Sequence, residues 1–267
     1  MTVMDKTLTL GEIVPAARFT AYGVTHAGRV QKENQDSWLV HGEIGLAVVA
    51  DGVGGHLGGG QASREAVACL AECLNDAMTH GLQDGIDAAA RLARENHVRR
   101  AIAAAHDRIR AHNVGRVERR LRSGATIAGV WAPLGADSFA TVFHVGDSRV
   151  YRVRGYRLLQ MTRDHSAYEE WRRGGEIGEA PSQKYILQAL GVSERVKPDL
   201  HSFFPDTGDR LLICTDGVCG EMDNEEIETV LADHRASMEA AGDALISLGL
   251  ERGGRDNLTA VLCELHS

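Results

Sequence analysis

Continuous and alternating apolar segments predict a chain rich in β-strands. Residues 44–50 and 211–215 are short apolar runs bounded by turn residues, a pattern typical of buried strands. Segments that alternate, or that are rich in aromatic and β-branched residues, predict further strands at 18–26, 36–41, 125–131, 139–145, 149–153, 157–161 and 258–265. No internal repeat relates these segments to one another.

Apolar residues at helical spacing predict four helices, two of them long. Residues 61–80 place apolar side chains at i, i+3 and i+4 on one face, and the Ala-rich residues 84–112 carry basic residues opposite the apolar stripe. Shorter helices are predicted at 224–233 and 237–251. Strands therefore precede helices twice along the chain, which favours an α+β fold over alternating β-α-β units.

Two segments lack either periodicity. Residues 51–60 contain six glycines and predict a loop, because a helix or a strand would not tolerate that density. Residues 166–190 are polar and are interrupted by Gly174, Gly175 and Gly178. The second segment is interpreted as an irregular insertion that contains a short helix.

Length and composition exclude several classes of protein. The chain has 267 residues, of which 43% are hydrophobic and 25% charged, so disorder, collagen and coiled coil do not describe it as a whole. This length allows one large domain or two small ones. Glycine is in excess at 30 residues, against about 19 for typical usage, so the backbone must turn tightly or approach other groups closely.

Charge and cysteine content limit the expected binding partners and cellular location. The formal net charge of −8 argues against general nucleic-acid binding, because phosphate contacts need a basic surface. The five cysteines are odd in number and form no CxxC pair, so they are interpreted as reduced thiols. There is no apolar run of about 18 residues and no secretory leader, so a cytoplasmic location is expected and no membrane span is predicted.

Four aspartates lie at the ends of predicted strands. Asp51 and Asp216 each follow a buried apolar run and precede a glycine, Asp256 comes just before the last strand, and Asp36 begins a strand. Carboxylates that converge at one end of a sheet repel one another, and Mg²⁺ or Mn²⁺ relieves that repulsion. Two such cations can activate a water and clamp a phosphoryl group. Spacing alone leaves the alternative open that the Asp-Gly pairs are ordinary turns.

Eight short motifs in a fixed order resemble those of a known family. They are NQD at 34–36, DGVGGH at 51–56, SGAT at 123–126, GDSR at 146–149, RDHS at 163–166, ALG at 189–191, TDG at 215–217 and RDN at 255–257. Each motif is weak alone. Together they resemble the metal-dependent protein phosphatase family, type 2C, in its compact bacterial form, over about residues 18–265.

The resemblance implies a fold and a reaction. The expected fold is α+β, with a central β-sandwich of two antiparallel sheets flanked by α-helices on both faces in four αββα layers. A single catalytic domain at 18–267 would follow an N-terminal extension at 1–17, and residues 166–190 would form a flap beside the metals. The implied enzyme is a monomeric serine/threonine phosphatase in which a hydroxide that bridges two Mn²⁺ or Mg²⁺ ions attacks the phosphoprotein directly. A serine/threonine kinase would be its partner.

The same resemblance assigns metal ligands by position. Asp51 would bridge both metals, and the backbone carbonyl of Gly52 would bind one of them. Asp216 and Asp256 would hold the metal near the C-terminal motifs. Asp36 would act on the other metal through its waters.

Two further positions carry alternatives. Asp147 matches the ligand of a third, weaker metal in bacterial members, although an Asp that caps a hairpin is the structural alternative. His56 is a candidate general acid for the leaving serine oxygen. It could equally serve only to order its loop, because eukaryotic members carry their histidine directly after Asp-Gly, where this chain has Val53.

The phosphate-binding position departs from the family. Many members have an arginine three residues before the Asn of the NQD motif, where it grips the substrate phosphate, and this chain has Gln31. A neutral amide lacks the charged fork of arginine, so Arg29 or Lys32 is a candidate to reach the phosphate instead. This departure also supports the alternative function, a catalytically weak phosphatase-like domain that binds a phosphoprotein or a regulator.

Overall fold

A computed structural model describes residues 10–15, 19–54, 58–80, 82, 85–115, 122–133, 139–206 and 208–265, with backbone only for 10–15. Eleven of its strands form two antiparallel sheets. The six-stranded sheet contains, in spatial order, β1 (Leu10–Pro15), β2 (Phe19–His26), β13 (Leu258–Leu265), β12 (Arg210–Cys214), β9 (Arg149–Arg154) and β10 (Arg157–Gln160). The five-stranded sheet contains β11 (Asp199–Phe203), β8 (Ala140–Val145), β7 (Ile127–Trp131), β4 (Leu46–Ala50) and β3 (Ser37–His41). A small third sheet pairs β5 (Gly52–Gly54) with β6 (Ser123–Ala125).

The described helices cover the outer face of each large sheet, except for one short helix, which lies in the segment 166–190. They are α1 (Gly59–Thr79), α2 (Ala88–His112), α3 (Ala167–Arg173), α4 (Asp216–Cys219), α5 (Asn224–Asp233) and α6 (Met238–Glu251). Side-chain caps begin several of them. For example, Asp223 accepts a hydrogen bond from the Glu226 amide while the Glu226 carboxylate accepts one from the Asp223 amide, a capping box that fixes the start of α5.

Three apolar layers hold the four structural layers together. In β4, Leu46, Val48 and Ala50 pack against α1 and α2, whereas Ala47 and Val49 face the other sheet. Strand β12 alternates in the same way between the intersheet layer and the layer beneath α5 and α6. Because successive strand side chains point to opposite faces, a strand buried on both faces must be apolar throughout. The predicted four-layer αββα sandwich is confirmed.

Two edge strands were not predicted. Strand β1 lies within the predicted N-terminal extension and pairs with β2 from Leu10↔Thr25 to Pro15↔Thr20. Strand β11 pairs with β8 at the edge of the five-stranded sheet. The division of the chain at residue 17 stays a prediction, but the segment before it contributes an edge strand to the sandwich.

The glycine-rich stretch was wrongly predicted to be loop throughout. Gly52–Gly54 forms β5, and Gly59 and Gly60 open α1. Likewise, the single strand predicted at 125–131 is two strands in different sheets, separated at Thr126. Composition misled the prediction here because close tertiary packing, rather than propensity, decides these segments.

No helix within the described ranges is long and apolar enough to span a membrane. All five cysteines lie in these ranges and are free thiols, four of them buried. Their state agrees with the prediction of reduced cysteines.

Candidate active site

Aspartates from five separate chain segments meet at one end of the sandwich. Asp51, Asp147, Asp216 and Asp256 line one open cleft of about 690 Å³, together with Gly52. We call this the acidic cleft. The β-strand ends position these residues, since Asp51 follows β4 and Asp216 follows Thr215 at the end of β12.

Asp36 lies beneath the cleft in a network of hydroxyl groups. Its Oδ2 accepts hydrogen bonds from Thr215 Oγ1 at 2.8 Å and from Thr259 Oγ1 at 2.6 Å. The Asn34 side-chain oxygen Oδ1 accepts a hydrogen bond from the Asp36 amide at 3.1 Å. The other carboxylate oxygen, Oδ1, is buried without a hydrogen-bond partner. Such an atom needs an explanation in a folded protein, and an oxygen lone pair facing a cation site supplies one.

Thr126 ties two of the aspartate-bearing segments together. Its Oγ1 accepts from the Asp51 amide at 3.0 Å and lies 2.7 Å from Ser148 Oγ, while its amide donates to the Asp51 carbonyl at 2.9 Å. Ser148 belongs to the same turn as Asp147. Thr126, the residue between β6 and β7, therefore fixes the relative positions of Asp51 and Asp147.

Asn257 connects the segments that carry Asp36 and Asp256. Its Oδ1 accepts from the Gln35 amide at 2.8 Å, and its Nδ2 donates to the carbonyls of Ala27 and Glu33. The loop that carries Asp36 is thereby fastened to the segment that carries Asp256.

His165 supports the turn that carries Asp147. The Gly146 amide donates to His165 Nδ1 at 3.2 Å, and the His165 amide donates to the Gly146 carbonyl at 2.8 Å. His165 also stacks on His144, with Asp199 3.6 Å from its Nε2. Because Nδ1 of His165 accepts a hydrogen bond from the Gly146 amide, Nε2 carries the ring proton of the neutral imidazole. Neither ring nitrogen then has a lone pair free to bind a metal.

Burial and mutual repulsion disfavour ionisation of the aspartates. Burial raises the pKa of Asp36 to about 7, and repulsion from Asp216 and Asp256 adds to it, although the two threonine hydrogen bonds oppose the shift. Burial, followed by repulsion from Asp216, raises the pKa of Asp147 to about 7. The pKa of Asp216 is raised to about 6 and that of Asp51 well above its ordinary value, in both cases first by burial.

These residues fit a site for divalent cations. Carboxylate and backbone carbonyl oxygens are the hard donors that Mg²⁺ and Mn²⁺ prefer. A concentration of buried carboxylates with raised pKa values is costly without positive charge, and the partnerless Asp36 Oδ1 points to the same need.

The stability of the metal-free protein should therefore fall as the pH rises from 6.5 to 8. Asp36 and Asp147 have folded-state pKa values of about 7, above the roughly 3.9 of an unfolded aspartate. The folded state thus holds more protons than the unfolded state, and its advantage is lost as these protons leave. We expect the melting temperature in chelator to drop over this range, as measured by calorimetry, and Mn²⁺ to remove most of the drop.

Two controls sharpen this test. Starting at pH 6.5 limits the contribution of buried histidines such as His144, whose pKa burial lowers to about 4. The Asp36→Asn variant removes one of the aspartates whose pKa is raised, so its melting temperature in chelator should fall less. A melting temperature that is flat or rising with pH in chelator would contradict the expectation.

The candidate phosphate-binding residues separate in the structure. Gln31 and Lys32 line the acidic cleft, and so does Lys184 from the flap, residues 166–190. Arg29 is absent from the described lining, and its amide donates to the Gly254 carbonyl at 2.7 Å. His56 lies outside the described residues, so its role stays a prediction from the sequence.

Sequence reasoning missed several residues that build the site. Thr215 and Asn257 stand inside motifs that were recognised, but their contacts with Asp36 and Gln35 were not foreseen. Their positions next to Asp216 and Asp256 in the sequence were the signal that could have identified them. No sequence signal identifies Lys184, since it is a single lysine in a polar insertion.

Comparisons with known proteins agree with this site. A sequence profile of protein phosphatase 2C matches residues 23–263. The serine/threonine phosphatase Stp of Listeria monocytogenes is 30% identical over 248 residues, covering 90% of this chain and 93% of Stp.

Solved structures agree as well. The serine/threonine phosphatase PstP/Ppp of Mycobacterium tuberculosis has a TM-score of 0.78 at 27% identity, over 94% of this chain and 100% of that one. A PstP catalytic domain in complex with two manganese ions has a TM-score of 0.74 at 28% identity, over 94% and 99% of the two chains. With the profile spanning most of its length, this chain belongs to the protein phosphatase 2C family and is a metal-dependent serine/threonine protein phosphatase.

Proposed function

We propose that the acidic cleft is the site at which this phosphatase hydrolyses phosphoserine and phosphothreonine. Asp51, Asp216 and Asp256 would hold two Mn²⁺ or Mg²⁺ ions, with the Gly52 carbonyl as a further ligand and Asp36 acting from below. The observation that carries the proposal is the buried Asp36 carboxylate, held by two threonines through one oxygen and without a partner on the other. A proton or a cation site must compensate such a group.

The protein's own residues would prepare the site before substrate arrives. Thr215 and Thr259 fix the orientation of Asp36, and Thr126 fixes the backbone of Asp51. When bound, the divalent cations supply Lewis acidity that activates water and stabilises the charge on the transferring phosphoryl group. Prepositioned ligands matter because their reorganisation would otherwise add to the barrier.

Asp147 would contribute a third and weaker cation position. It shares the acidic cleft with Asp216, and burial, followed by repulsion between the two carboxylates, raises the pKa of Asp147. Its turn is held by Thr126 through Ser148 and by His165 through Gly146. A hairpin-capping role alone would not require a position facing the other carboxylates.

The remaining roles concern substrate and setting. Gln31 and Lys32 would contact the phosphate from the cleft wall, Arg29 would be a further candidate for that contact, and His56 would be the general acid. The substrate would be a protein phosphorylated by a partner serine/threonine kinase. The free cysteines fit a reducing compartment, so we place the enzyme in the cytoplasm, acting as a monomer.

The direct test uses the full chain, a phosphothreonine peptide and p-nitrophenyl phosphate. Release of inorganic phosphate should require Mn²⁺ or Mg²⁺ and cease in excess chelator. If wild-type protein binds the phosphopeptide but releases no phosphate with either metal, the alternative function as a phosphoprotein-binding domain is correct and the proposal is wrong.

A further inference from the structure

The acidic cleft carries excess negative charge when a phosphorylated substrate binds. With Asp36 beneath it, the site has five aspartates against the four positive charges of two divalent cations, and a phosphomonoester adds up to about two more negative charges. Gln31 occupies the position at which many relatives carry a phosphate-gripping arginine. Among the described residues that line the cleft, the cationic side chains are Lys32 and Lys184.

Lys184 and Gln31 reach the same carboxylate from different segments. Lys184 Nζ lies 3.7 Å from Asp256 Oδ2, and Gln31 Nε2 donates to Asp256 Oδ1 at 3.2 Å. The ammonium group therefore lies next to the place where the side chain of residue 31 ends. An arginine at position 31 and the lysine at position 184 would present their charges to the same part of the cleft.

The charge of Lys184 also acts on the inner carboxylates. It partly opposes the raised pKa of Asp216, which burial and Asp256 produce. Lys184 further lines a second pocket under the flap, which shares Asp147, Asp216 and Asp256 with the acidic cleft. A group that enters from the flap side towards the aspartates passes this ammonium.

Backbone hydrogen bonds hold the segment next to Lys184 in place. The Ala167 amide donates to the Tyr185 carbonyl at 2.9 Å, and the Leu187 amide donates to the His165 carbonyl at 2.7 Å. His165 is in turn bonded to Gly146 beside Asp147. The Lys184 backbone is thus anchored to the site, while its side chain, 74% exposed, keeps the freedom to turn towards a ligand.

We propose that Lys184 binds the phosphate group of the substrate and supplies from the flap the positive charge that Gln31 does not. This inference rests on the proposed function, because it places the substrate phosphate in the acidic cleft. Lys184 would determine affinity rather than the chemical step, since an ammonium is a mobile point charge without the rigid fork of arginine. Its contact with Asp256 then holds the ammonium at the cleft while no anion is present.

The test compares Lys184→Met with Lys184→Arg and with the control Lys197→Met, an equal loss of charge outside the cleft. Lys184→Met should weaken the calorimetric affinity of inorganic phosphate for the Mn²⁺-loaded protein roughly five- to tenfold, as expected for one exposed charge-assisted contact. The KM values of p-nitrophenyl phosphate and of a phosphothreonine peptide should rise similarly, with kcat changed less than about twofold. Lys184→Arg should retain most of the affinity, and Lys197→Met all of it.

A second variant tests whether positions 31 and 184 serve one phosphate. Gln31→Arg should restore phosphate affinity in the Lys184→Met background and improve it less in the wild-type background, which is the signature of coupled residues in a double-mutant cycle. Equal effects in both backgrounds would overturn the shared role.

Other outcomes would overturn the proposal outright. If only the peptide KM rises, Lys184 contacts the peptide and not the phosphate. If phosphate affinity is unchanged while calorimetry shows tighter Mn²⁺ binding, Lys184 is only a counter-ion of Asp256. Failure of the proposed function looks different, because the wild-type protein would then release no phosphate from either substrate while the binding comparison could still be made.

Discussion

The Asp51→Asn variant is expected to lose at least about a thousandfold in kcat/KM on a phosphothreonine peptide, or roughly 4 kcal/mol of transition-state stabilisation. Asp51 faces every other carboxylate of the site, since Asp36, Asp216, Asp147 and Asp256 all raise its pKa after burial does. The amide keeps the shape of the side chain and removes the charge that a pair of cations needs. Phosphate release at saturating Mn²⁺ measures the loss.

Stability separates this effect from misfolding. Removing one of several repelling carboxylates should leave the melting temperature of the metal-free variant equal to or above that of the wild type. Asp233→Asn, at the exposed end of α5, provides a matched substitution that should retain full activity. Asp51→Asn activity within tenfold of the wild type would show that Asp51 is not the central metal ligand.

The Gly52→Ala variant should be nearly as inactive, although it adds a single methyl group. A Cβ at Gly52 would overlap the backbone of Gly59 and lie 2.7 Å from the Gln35 carbonyl oxygen. Backbone atoms cannot move aside as a flexible side chain does, so β5 must shift, and the Gly52 carbonyl shifts with it. We expect a loss of at least about a hundredfold in kcat/KM and weaker calorimetric Mn²⁺ binding, by analogy with losses on disturbing metal-site support.

Gly60→Ala is the control from the same glycine-rich stretch. Its Cβ would meet a guanidinium nitrogen of Arg64 at 3.4 Å as its nearest neighbour, and residue 60 lies inside α1. Alanine is a better helix former than glycine, so this variant should be active and at least as stable as the wild type. Equal losses in Gly52→Ala and Gly60→Ala would mean that the stretch tolerates no side chain anywhere and that the Gly52 carbonyl has no special role.

The parts of the fold that could be predicted are those whose burial leaves a mark in the sequence. Strand β4 is apolar at every position because both of its faces are covered, and this apolar run predicts a buried strand. The edge strand β11 has only Phe203 buried, and β1 contains Gly11 and ends in Pro15, so neither carries a clear pattern.

The candidate site divides in a similar way. Its aspartates could be named because motifs fix them locally, as with Asp216 in TDG. The partners that orient them could not, because they come from distant parts of the chain. Thr215 Oγ1 donates to an Asp36 oxygen 179 positions away, and no spacing rule spans that separation. Lys184 lies near Asp256 only because of the path that the flap takes in the folded chain.

The attachment of the flap has a consequence for substitutions within it. The hydrogen bonds from Ala167 to Tyr185 and from Leu187 to His165 join main-chain atoms and together form the antiparallel bridge between Ser166 and Ile186. Side-chain identity matters little to such bonds, so substitutions that present new groups to incoming proteins leave the anchorage intact. Point substitutions within residues 166–190 should therefore change the surface beside the acidic cleft without disturbing the aspartates and their supporting threonines.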